Sequence, residues 1–74
     1  MELIKTTMEN VKIGQVFSWG LAEDFQAFKL IEMNEISDSV LFVHCKAIEN
    51  RYKYDRYEVF KGKIQKELTT YIIK

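Results

Sequence analysis

The chain has 74 residues, with eleven basic and eleven acidic side chains, no proline, one cysteine and one histidine. That length makes one domain, residues 1–74, with no room for a second core. One thiol and one imidazole exclude an intrachain disulfide and a zinc set built from cysteines and histidines.

In domains below about 80 residues a single core supplies only about 3–5 kcal/mol. Without a covalent or metal staple, stability must come from close packing of the four tyrosines, five phenylalanines and Trp19, from self-association, or from a partner. No cofactor is implied. The lone thiol, Cys45, suits a reducing compartment. The start of the chain does not read as a signal peptide, and no apolar run approaches the roughly 18 residues of a membrane span. A cytoplasmic chain without membrane contact is expected.

The zero net charge conceals an asymmetry. Residues 1–38 carry three lysines against seven acids, a net −4, and residues 39–74 carry eight cations against four acids, a net +4. A neutral chain lacks the long-range attraction to phosphate that most nucleic-acid binders show. The expectation is that the halves neutralise each other across one small fold, with a local basic patch as the alternative.

Leu3–Thr7 is short and β-prone, either a first strand or a peripheral lead-in. In Val11–Phe17 an apolar residue precedes a glycine-containing turn and a strand follows at once. Gly14 can supply the positive φ such a turn uses, and no further glycines complete a phosphate-binding loop. The strand is expected over Val16–Trp19, ending at Gly20, with Leu21–Asp24 leading onward.

The organising stretch is a long hairpin with arms at about 25–35 and 39–49. In the second arm Leu41, Val43, Cys45 and Ala47 alternate onto one apolar face, while Val40, Phe42, His44, Lys46 and Ile48 form a mixed face. In the first arm Phe28 and Leu30 share a face, and Ala27, Ile31 and Met33 take the other. The adjacent Leu30 and Ile31 suggest a bulge or a strand covered on both sides. The loop is Ile36–Ser39.

Residues 51–57, Arg-Tyr-Lys-Tyr-Asp-Arg-Tyr, interleave three tyrosines with three cations. Rings beside cations are the composition that stacks on single-stranded nucleic acid. The competing and favoured reading is a half-buried strand with tyrosines over the core. Beyond Asp55, the positions of Tyr57, Phe60, Ile64 and Leu68 fit one helical face, which predicts a short helix near 56–68. Gly62 opposes that helix, and Lys61-Gly62 could equally be a hairpin turn. Thr69–Lys74 reads as a closing strand that pairs beside the N-terminal one.

The fold class expected is mainly β (α+β): a small antiparallel sheet or partly open barrel on the long hairpin, with one short helix and a C-terminal strand. The Val11–Phe17 opening and the hairpin resemble small SH3-like or Sm-like barrels over about half the chain. The resemblance implies binding of peptides, proteins or nucleic acids without choosing among them.

No residue pattern implies bond-making chemistry. His44 and Cys45 adjoin, but on a strand they point to opposite faces and cannot share a proton. The carboxylate pairs lack the histidines or glycines that acid–base or metal work would need. A non-enzymatic binding module is therefore expected, a small protein-interaction or regulatory domain such as an inhibitor, acting by docking on a protein partner or by self-association. The proline-free composition, rich in lysine, isoleucine and glutamate, suits a phage or mobile-element product. The alternative is a nucleic-acid-binding β-domain. Candidate surface residues are Phe17, Trp19, Arg51, Tyr52, Lys53, Tyr54 and Arg56, because aromatic residues and arginine dominate binding hot spots.

Overall fold

The computed structural model describes residues 2–20, 26–48 and 59–74. They form six antiparallel strands, β1 (Leu3–Thr7), β2 (Val16–Ser18), β3 (Phe28–Glu35), β4 (Val40–Ala47), β5 (Val59–Gln65) and β6 (Thr69–Ile73). A single 3₁₀ turn, Met8–Asn10, follows β1. All six strands join in one open sheet, in the order β1-β6-β2-β3-β4-β5.

The sheet must curl. Gln65 and Thr69 are four residues apart, so their Cα atoms lie at most about 14 Å from each other. In a flat sheet, β5 and β6 would be four strand spacings apart, or about 19 Å. Backbone hydrogen bonds tie this end shut. The Lys66 amide donates to the Ser39 carbonyl at 3.0 Å, the Met8 amide to Leu68 at 3.0 Å and the Glu9 amide to Lys66 at 3.2 Å.

Inside the curl, apolar residues meet in cross-strand rows. Ile4, Ile72, Phe17, Phe28 and Ala47 make one row through five strands. Leu30, Cys45 and Phe60 make a second, and Met33, Val43 and Gly62 a third. Met8, Val11, Phe17, Leu30, Val43 and Cys45 have almost no exposed surface. The Trp19 ring leans on Phe17, Phe28 and Phe60 at centroid distances of 5.3, 5.4 and 5.2 Å. Its indole N–H donates to the Met8 Sδ at 3.3 Å, which gives the half-buried ring's polar atom a partner.

Two local features were visible in the residues. The Gln15 amide donates to the Lys12 carbonyl at 3.0 Å, closing a turn in which Gly14 has φ +90. That is the type II pattern, with the glycine where only positive φ fits. The Leu30-Ile31 pair marks a bulge: Leu30 faces Cys45 and Glu32 faces His44, leaving Ile31 as the extra residue.

The bulge corrects the face assigned to Met33. It absorbs one residue and returns Met33 to the inner face with Phe28 and Leu30, opposite Val43. The second correction is larger. No helix forms at the described part of 56–68: residues 59–65 are β5, paired with β4 through all seven positions. Gly62 sits in mid-strand, so the Lys61-Gly62 turn is also overturned. The hairpin arms are shorter than expected, at 28–35 and 40–47, and β2 stops at Ser18. The closing strand lies where the sequence placed it, with β6 paired to β1 from Leu3↔Ile73 to Thr7↔Thr69.

Candidate docking surface

The strands that hide the apolar rows present the opposite rows to solvent. Alternation leaves Lys29, Glu32 and Asn34 of β3 outside, with Val40, Phe42, His44 and Lys46 of β4 and Val59, Lys61, Lys63 and Gln65 of β5. Register sets them in rows: Lys29–Lys46–Val59, Glu32–His44–Lys61 and Asn34–Phe42–Lys63. All four lysines are exposed, whereas Phe42 and His44 are half-buried between neighbouring strands. Among the described residues, Glu32 is the one acid at an outward position of these three strands.

Lys29 and Lys46 face each other directly across the β3–β4 ladder. Like charges in that relation destabilise a sheet, with Cβ atoms about 5 Å apart. The fold tolerates this repulsion on a surface that already holds two further lysines on the adjoining strand. Val59 is 42% exposed beside them.

Acidic residues collect elsewhere. Glu9, Asp38 and Glu67 line a cleft of about 250 Å³, with Ser39, Gln65 and Lys66, at the end where the turns meet. There Lys66 pairs with Glu35, a contact between the acidic and basic halves of the chain. Among the described residues, that pair joins the two halves, while the lysines of β3, β4 and β5 gather on one face as the alternative, a local basic patch, anticipates. Among the described residues, no group of three or more histidine, cysteine, aspartate or glutamate side chains is placed to hold a metal ion.

The two candidate aromatics have different positions. Phe17 is fully buried in the core, so its ring is not offered to a partner. Trp19 is half-buried, with its edge in the aromatic cluster. The candidates Arg51, Tyr52, Lys53, Tyr54 and Arg56 lie outside the described residues. Sequence reasoning missed Lys29, Lys46, Lys61 and Lys63 as a group. Only pairing register brings them together, and the helix predicted near 56–68 hid the relation of Lys61 and Lys63 to β4.

His44 and Cys45 point apart as their spacing required: Cys45 is fully buried and His44 is on the outer face. Burial pushes the Cys45 thiol up to about 12, which keeps it protonated and a poor nucleophile near neutrality.

No family model matches the chain, and no curated protein or solved structure matches it. Among the described residues there is no helix long and apolar enough to cross a membrane.

Proposed function

We propose that this chain is a non-enzymatic binding module, a small protein-interaction or regulatory domain that docks through the outer side of β3, β4 and β5. The observation that carries this reading is the placement of Lys29, Lys46, Lys61 and Lys63 on one face, in three successive rows, with Lys29 and Lys46 directly opposed. Departures from local stability rules concentrate at functional sites, where recognition offsets the cost. The occupant is an acidic surface. The half-buried Phe42 and exposed Val59 add apolar contact beside the cations.

The order β6-β2-β3-β4-β5, with consecutive strands adjacent and the last returning beside the first, supports an SH3-like or Sm-like barrel. A reducing, cytoplasmic setting agrees with the unpaired buried thiol.

A second reading has its own support. The same lysines would neutralise phosphates, and the chain joining β4 to β5 carries Arg51, Tyr52, Lys53, Tyr54 and Arg56. Zero net charge places it second. Capture from cell lysate, with and without nuclease, separates the two. A protein partner retained after nuclease and at moderate salt is the expected result. Binding lost with nuclease, and falling steeply with salt, contradicts it and favours nucleic acid.

A further inference from the structure

Among the described residues the sheet ends at β1 and β5, and β5 is the longer of these two strands. Proteins blunt such edges with short strands, prolines, bulges or charges, because unpaired N–H and C=O groups recruit further strands. β5 runs seven residues in unbroken register with β4, without proline or bulge. Its guards are Lys61 and Lys63, both on the outer face and exposed.

Those lysines discriminate between occupants. An antiparallel second copy of β5 centred on Gly62 sets Lys61 opposite Lys63, and one centred on either lysine sets that residue against itself. Every symmetric pairing near the middle of the strand therefore opposes like charges, which disfavours it. An acidic strand meets the reverse condition.

Between the two lysines the strand carries a glycine. Gly62 has no side chain, and the Phe60 ring lies over it, 3.4 Å from where a Cβ would be. That ring fills the space a side chain would take, which accounts for a glycine in mid-strand. At the C-terminal end of β5, Val40, Lys63, Ile64, Gln65 and Leu68 line an open cleft of about 380 Å³. It presents apolar surface from Val40, Ile64 and Leu68 beside the lysine.

We infer that β5 takes an extended acidic segment of a partner protein as a seventh strand, with alternate carboxylates beside Lys61 and Lys63 and an apolar side chain in the Val40–Ile64–Leu68 cleft. Main-chain pairing supplies affinity and the lysines supply choice, the division of labour in strand-addition complexes. This inference rests on the protein-docking reading and specifies its partner.

The test titrates the full chain with a labelled synthetic peptide of alternating Asp and Val. Two analogues carry backbone N-methyl groups on one or the other set of alternate residues. Only one set of amides faces β5, so one analogue should bind at least about tenfold more weakly while the other binds as the parent does. The double variant Lys61→Glu, Lys63→Glu should reject the acidic peptide and accept its Lys/Val counterpart. Equal binding by both methylated analogues, or no binding of the parent at millimolar concentration, overturns the inference. So does tighter binding of an oligothymidylate at the same salt. If the double variant fails to fold, the methylation comparison on the native chain still decides. A chain that captures a nuclease-resistant protein partner yet ignores the peptide disproves strand addition and leaves the docking reading intact.

Discussion

Gly14 and Cys45 each carry a measurable consequence of where the fold puts them. At Gly14 a Cβ would meet nothing within 4 Å, so the cost of a side chain there comes from the backbone, at φ +90. Gly14→Ala should lose about 1–2 kcal/mol in chemical denaturation, and Gly14→Asn less. Equal stability of glycine and alanine variants would show that the turn is not held in this conformation. Cys45 keeps its proton in the folded chain up to about 12, against the usual 9.0. Between those values the unfolded chain releases a proton that the folded chain retains. Its contribution is therefore whole below pH 9 and declines as pH rises toward 12, by about 1.4 kcal/mol per pH unit. Cys45→Ala should lack that slope. Parallel pH profiles for the two proteins would contradict the burial of the thiol.

Within β3, the extra residue Ile31 makes a sharper demand. Leu30, Glu32 and Met33 face Cys45, His44 and Val43, three consecutive residues of β4. Deleting Ile31 therefore restores plain alternation without moving Met33 off the inner face, and removes an exposed apolar side chain. The deletion should fold with the same β3–β4 pairing and a stability within about 1 kcal/mol of the parent, read by unfolding and by amide contacts. Loss of cooperative unfolding would mean that the bulge is required. This bulge, the Gly14 turn, β4 and the pairing of β6 with β1 were legible in the residues, because strict alternation and glycine chemistry are local signals. β5 was not. Phe60 and Ile64 are four residues apart, a spacing that suits one face of a helix and one face of a strand equally. Gly62, midway between them, was the sign of the strand, and the fit of Tyr57 and Leu68 to a helical face outweighed it. The lysine cluster was illegible for a related reason: the opposition of Lys29 to Lys46 depends on register.

For the molecule as a whole, the short step from β5 to β6 and the six-stranded sheet produce both its shape and the polarity of the described residues. The four-residue step from Gln65 to Thr69 forces the curl, and the curl takes one face of each strand inward. Among the described residues this leaves outside a basic face on β3, β4 and β5 and an acidic end at the turns. Recognition by charge on that face should respond to reversal of its lysines far more than to changes on the β1–β6 side, where Lys5 stands across from Tyr71. The most direct measurement is capture from nuclease-treated lysate by the native chain, by Lys61→Glu, Lys63→Glu, and by Lys5→Glu as control, after their unfolding midpoints have been shown to agree. A protein partner held by the native chain and by Lys5→Glu, and lost from the double variant, is the outcome expected. Equal recovery of that partner by all three would contradict docking through β5 and its neighbours.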